Sequence, residues 1–233
     1  MVTPGGEVAF VGRIIAESVQ LRERVQWYTT MLGKLSSVPV VVGELRKHGV
    51  GNWAVAEFVQ GSRTRRWGVG WSFLDRRPGV GAARAVGAGS GVEKKLLPFP
   101  AEYVVEVGDD VDGVGKRVDS ILSELPLRWM WRPAIRTGVG FAGGNVWSRA
   151  ARRRQNRVPR KQEPDEEDEE DEDEEEEEIV FGFKVTVSKG DGSGSQMEER
   201  EGKGVQVVIR WLKGFDSTLF ESFCGMMKRK LEE

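Results

Sequence analysis

Fourteen consecutive acidic residues, DEEDEEDEDEEEEE at 165–178, constrain this chain more than any other feature. A run of like charge at this density repels itself out of a compact element and cannot enter a core. It also hides the charge of the rest. The 233 residues carry 35 Lys and Arg against 37 Asp and Glu, a net charge of −2. Glu163 and the run hold 15 of those acidic residues, so the remainder sets 35 basic residues against 22 acidic ones, a surplus of 13. Just before the run the sign reverses: Arg149, Arg152, Arg153, Arg154, Arg157, Arg160 and Lys161 fall within 13 positions. That stretch has the composition of a nuclear localisation signal or a nucleic-acid arm. Together with the acidic run it also reads as a disordered insertion, 149–178, whose opposite charges partly neutralise each other. The two readings are compatible.

Several classes are excluded. No stretch of about 18 to 20 apolar residues is present, so no membrane span is expected. The N-terminus, MVTPGGEVAF, lacks the charged and apolar regions of a signal peptide. One cysteine, Cys224, cannot form an internal disulfide, which fits a reducing compartment. A single His48 beside that single cysteine supplies neither a zinc cluster nor a Ser-His or Cys-His catalytic pair, so no metal is expected. The apolar fraction of 39% is nevertheless enough for a packed core.

Periodicity then divides the chain. Val11, Ile14, Ile15, Ser18, Leu21 and Val25 recur at helical spacing, predicting a helix over 7–24. VQWYTTML at 25–32 is apolar on both alternations and reads as a strand buried on both faces. Pro39 and Gly49 bracket a short crossover helix. Strands follow at 53–59 and 66–73; in the latter Trp67, Val69, Trp71 and Phe73 share one face and Gly68, Gly70 and Ser72 the other, which would let a backbone or helix approach closely. Helix, strand, helix, strand, hairpin, strand is the end of a doubly wound α/β domain, and residues 1–74 lack the strands to close its core. Residues 75–98 have the Gly, Ala and Pro content of a flexible linker.

Residues 99–233 read as a small α+β domain. It has strands at 102–107 and 127–132, a helix over 111–125 and a Gly-rich element near 139–148. Further strands lie at 179–187 and 205–211, with a closing helix over 216–231 capped by Asp216 or Ser217. Trp67, Trp71, Trp129, Trp131 and Trp211 alternate with polar residues and read as core rather than as a base-stacking platform. His48 sits at a helix end as a surface residue.

The segment GSRTRRWGVGWSF at 61–73 carries the most functional information. Arg63, Arg65 and Arg66 lie in a turn before a strand with a buried aromatic face, so a rigid sheet would hold three guanidinium groups over one edge. Such a cluster suits a phosphate backbone; a solvated hairpin with ordinary surface arginines is the other reading. TPGGE at 3–7 opens the first helix, where two glycines are a weak sign of anion binding.

GGEVAFVGRIIAESVQLRERVQWYTTMLGK, followed by ELRKHGV, AEFVQG, RTRRW and GWSF, resembles the RNA adenosine-N(6) methyltransferases that modify U6 small nuclear RNA, whose bacterial relatives act on large-subunit ribosomal RNA. The likeness covers residues 5–73 nearly in register, with Arg65 as an addition. It implies the C-terminal portion of a class I, S-adenosylmethionine-dependent sheet. In that family the methyl donor sits on an early Gly-rich strand-turn-helix, and an Asn-Pro-Pro-Phe loop grips the target adenine. Asn-Pro-Pro-Phe occurs nowhere in this sequence.

By the resemblance, Arg63 and Arg66 line an RNA groove, Gly5, Gly6 and Glu7 lie behind the catalytic loop, and Met31 to Lys34 end a strand at the substrate edge. The order of elements in 99–233 is similar to the kinase-associated-type RNA-binding module of animal members.

The expected reading is therefore a portion of an RNA adenosine-N(6) methyltransferase, inactive alone. Its expected RNA contacts are Lys34, Arg63, Arg65, Arg66, Arg152, Arg153 and Arg154, with no catalytic residue of its own. S-adenosylmethionine is the family's cofactor, and none is expected on this chain by itself. The expected partner is U6 small nuclear or ribosomal RNA, with the nucleus favoured over the cytoplasm. A non-catalytic nuclear RNA-binding or assembly protein is the alternative.

Overall fold

The computed structural model describes residues 3–61, 64–148, 150–151, 153, 178–190 and 204–233. The chain divides into two compact units, Met1–Tyr103 with Arg210–Phe215, and Val104–Ile209 with Asp216–Glu233.

In the first unit, α1 spans Gly6–Leu21 and buries Val11, Ile15 and Ser18 along one stripe. The periodic pattern runs past its end because Arg22, at φ 43, leaves the helical region and a single 3₁₀ turn follows. Strand β1 (Tyr28–Leu32) leads through α2 (Ser37–Lys47) to β2 (Asn52–Gln60), and β3 (Thr64–Ser72) returns antiparallel. Sheet order is β1-β3-β2-β4, with β4 (Arg84–Ala85) parallel to β2. Both β1 and β2 run antiparallel to β3, so a parallel crossover pair holds a reversed strand between its members.

The two helices cover one face of this sheet. Val11, Ile15, Val38, Val41, Val42 and Leu45 pack with Leu32, Val55, Trp67, Val69 and Trp71 in one cluster. Buried Trp71 donates its indole N–H to Ser18 Oγ at 3.0 Å, and Ser18 donates in turn to the Ile15 carbonyl at 2.7 Å. A polar residue on the apolar stripe of α1 is thereby satisfied inside the core.

Three expectations change here. Strand β1 is not buried on both faces: Thr29 is exposed and Met31 is 62% exposed. The glycine face of β3 admits side chains rather than a helix; a Cβ on Gly68 would stand 2.8 Å from the Phe58 ring of β2. Residues 75–98, expected as a linker, carry α3 (Val80–Ala83), β4 and a 3₁₀ turn, and they bury Ala83, Ser90 and Leu96. A Cβ on Gly91 would stand 2.7 Å from Leu35 and one on Gly79 3.0 Å from Arg210, whereas Gly81 and Gly89 face open space. Arg77 is pinned by donating to the carbonyls of Gly214 at 2.8 Å and Gly51 at 2.7 Å while its guanidinium lies 4.2 Å from the Trp211 ring. Burial draws its pKa down to about 10, opposed by the Asp75 charge.

The second unit is a five-stranded sheet in the order β5-β9-β8-β7-β6. Its strands are β5 (Glu102–Val107), β6 (Arg128–Arg132), β7 (Thr137–Ala142), β8 (Phe181–Lys189) and β9 (Val205–Lys213), with helices α4 (Val111–Ser123) and α5 (Ser217–Glu232). Asp110 and Asp216 cap the helices by accepting from the second and third amides beyond them. The inner residues Phe181, Phe183, Val185 and Val187 pack under Val114, Val118, Phe220, Phe223 and Met227. Trp129 and Trp131 stack at 6.0 Å, Trp129 stacks on Phe183 at 6.0 Å, and its N–H reaches Asp119 at 2.8 Å. Rings of this size fit because the facing residues of β7 are Gly138 and Gly140.

Candidate nucleic-acid interface

The carboxyl end of β1, the start of β3 and the end of β2 lie together at one edge of the first sheet, since Leu32 pairs with Trp67 and Gln60 with Thr64. Exposed Lys34, two residues beyond Leu32, sits at this edge beside the basic start of β3. Behind it, Gly5 and Gly6 adopt left-handed backbone at φ 77 and 71 and aim the first turn of α1 at the β1–α2 loop. Glu7 then accepts from the Gly33 amide at 2.7 Å, the Lys34 amide at 3.1 Å and Ser37 Oγ at 2.6 Å. Partial burial raises the pKa of this carboxyl, but the bonds from Ser37, Gly33 and Lys34 and the Lys34 charge outweigh it, and the net shift is downward.

Arg65 and Arg66 do not act as one cluster. Arg65 and Arg66 lie within β3 and not in the turn, opposite Val59 and Phe58 respectively. Successive strand residues face opposite sides. Arg65 therefore points to the helix side, where it donates to Glu57 at 2.9 Å and to the Gly89 carbonyl at 2.6 Å. Arg66 points to the uncovered side, beside Phe58 and Met31, and its one bond is to the Arg65 carbonyl at 3.0 Å. Arg63 lies outside the described residues. The uncovered side thus offers an exposed cation, Arg66, next to half-exposed Phe58 and Met31, a pairing suited to a phosphate beside an unstacked base.

The second unit offers a broader basic surface. Strand β6 alternates exposed Arg128, Met130 and Arg132 with half-buried Trp129 and Trp131. Met130 pairs with Val139, which pairs with Lys184; Arg132 pairs with Thr137 and then Thr186. These residues share the outer face, away from α4 and α5. Arg128, Met130 and Arg132 form an exposed basic face that the readings of 61–73 and 149–161 left out, although the alternation of the two arginines with tryptophans is visible in the sequence. Arg153 is exposed; Arg152 and Arg154 lie outside the described residues, as does the stretch 154–177. Among the described residues no helix is long and apolar enough to cross a membrane, and no group of His, Cys, Asp or Glu could hold a metal ion.

Residues 1–75 match a family model described as RNA methyltransferase. Over its first third the chain is similar to this RNA methyltransferase family. The zebrafish (Danio rerio) RNA N(6)-adenosine-methyltransferase mettl16 is 30% identical over 253 residues, which cover 99% of this chain and 53% of the relative. The U6 small nuclear RNA (adenine-(43)-N(6))-methyltransferase of Schizosaccharomyces pombe is 49% identical over 78 residues, 34% of this chain and 20% of its own length. The chain thus spans about half the length, or less, of these curated relatives. A crystal structure of the human METTL16 catalytic domain with a MAT2A 3′UTR hairpin is 44% identical over 36% of this chain and 28% of that one, at a TM-score of 0.32.

The first sheet, β1-β3-β2-β4, is a mixed α/β arrangement. Asn-Pro-Pro-Phe does not occur in the sequence, and the Gly33 and Lys34 amides at the end of β1 donate to Glu7.

Proposed function

We propose that this chain is the RNA-engaging portion of an RNA adenosine-N(6) methyltransferase of the U6 small nuclear RNA type. The similarity that runs through 99% of the chain to an RNA N(6)-adenosine-methyltransferase carries this reading. It spans both units and so favours one RNA protein over an accidental fusion. In this reading Lys34, Arg63 and Arg66 contact phosphate at the edge of the first sheet. Arg152, Arg153 and Arg154 add charge from the basic run, and the nucleus is the site of action. Arg65 contributes indirectly, as a brace between Glu57 and the 84–90 segment. Gly5, Gly6 and Glu7 shape the edge and do no chemistry.

Methyl transfer to an adenine amine requires that amine to be held in line with the sulfonium methyl, a positioning effect. This chain has no residues of its own for either grip, so alone it binds RNA without methylating it. S-adenosylmethionine belongs to the complete enzyme. The consumed amides at Gly33 and Lys34 are the observation that keeps a second reading, a non-catalytic nuclear RNA-binding or assembly protein, in play.

The test is to titrate the purified chain with a U6-derived RNA hairpin and, separately, with S-adenosylmethionine. Micromolar or tighter, salt-sensitive hairpin binding without cofactor binding is expected. Methyl incorporation by the chain alone, or indifference to RNA at low salt, would overturn the proposal.

A further inference from the structure

The outer face of the second sheet carries a group of cations. Arg128 and Arg132 stand at the two ends of β6 with Met130 between them, and Lys184 lies two strands away in the Met130 row. None of the three cations forms an ion pair among the described residues. The protein has an acidic run of its own, 165–178. The acidic run ends at Glu178, which is exposed, and Val180 is fixed by donating to the Ala142 carbonyl at 3.2 Å. Ile179 lines a groove with Pro126, Leu127, Arg128, Phe141 and Gly143, so the run begins within a residue of the groove that holds Arg128.

We infer that the outer face of β6, β7 and β8 is a docking surface for the chain's own acidic segment 165–178, which competes there with any other polyanion. Charge supports this: fourteen carboxylates meet three uncompensated cations. Reach supports it as well. Four residue steps along the strand separate Arg128 from Arg132, about 13 Å, and fourteen extended residues span roughly 46 Å. The tether places the segment at an effective concentration on the order of millimolar, enough to occupy a face of modest affinity. Exposed Met130 and half-buried Val139 and Phe141 between the cations make the face amphipathic, so weak apolar contact adds to the charge.

The experiment uses a labelled synthetic peptide of residues 163–178, followed by fluorescence anisotropy at low salt, with no RNA present. Its outcome is therefore independent of the proposed RNA activity. The chain lacking 165–178 should bind the peptide, and the full chain should bind it about tenfold or more weakly because its face is already occupied. In the deletion chain, R128Q/R132Q/K184Q should abolish binding, while R128K/R132K should restore most of it. Substituting Gln for all seven basic residues in 149–161 should leave binding intact. Four results would overturn the inference: no binding of the peptide by the deletion chain, equal affinity of the full and deleted chains, survival of binding in the triple variant, or loss of binding on neutralising 149–161. An unchanged melting temperature of the triple variant separates lost binding from lost folding.

Discussion

The Glu7 carboxylate lies 2.7 Å from the Gly33 amide, closing a clasp between the first turn of α1 and the loop after β1. Three donors on a partly exposed carboxylate are worth about 1 to 2 kcal/mol after allowance for solvent. Glu7→Ala should lower the denaturant midpoint accordingly, and Glu7→Gln should lose the charged part only. The folded pKa lies below the unfolded one, so this stabilisation is fully present above the ordinary glutamate pKa and fades as pH falls through the lower folded value. Stability measured from pH 6 down to pH 3 should therefore drop less steeply in Glu7→Gln than in the natural chain.

Arg65 and Arg66, adjacent in sequence, should behave differently toward RNA. Each lost phosphate contact lowers the slope of log affinity against log salt by roughly 0.7 to 0.9. Arg66→Ala should show that reduction. Arg65→Ala should leave the slope almost unchanged, since its guanidinium is committed to Glu57 and the Gly89 carbonyl. Equal losses for the two variants would mean that the strand faces do not govern RNA contact.

Gly140 should be intolerant of even one methyl group. A Cβ there would overlap the Phe183 ring, which is itself stacked between Trp129 and Phe181 and has no room to withdraw. Gly140→Ala should destabilise the second unit by roughly 1 to 3 kcal/mol, the usual range for overpacking. The reading is the thermal or denaturant midpoint of the full chain, with Gly144→Ala, where a Cβ meets open space, as the control.

Cys224 should be chemically silent in the native protein. Burial pushes its thiol up to about 12, partly offset by a backbone hydrogen bond, and the thiolate is the reactive form. Alkylation at pH 8 should be at least a hundredfold slower in the native chain than in denaturant; equal rates would place α5 away from the sheet.

Much of the architecture was legible in local patterns. Leu219 to Met227 and Val205 to Trp211 show helical and alternating periods so plainly that α5 and β9 follow from sequence, and Asp216 marks the helix start because its side chain must cap free amides. The basic face of β6 was likewise visible in the alternation of Arg128 and Arg132 with tryptophans. Residues 75–98 were not legible, because glycine and alanine are shared by linkers and by segments packed too tightly for larger side chains.

Sequence alone determined where most strands and helices form, that a charged run interrupts residues 99–233, and which family residues 5–73 resemble. Those properties are set by neighbours within a few positions or by residue identity. Tertiary structure decided the rest. Whether Thr29 and Met31 are buried depends on how many faces of the sheet receive helices, and no period of two can encode that. The register of β3 against β2 sends Arg65 to Glu57 and Arg66 to the open side, although the sequence writes them side by side. Glu7 finds Gly33 across 26 positions because a helix and a strand bring them together, a long-range closure that only the packed core holds in place.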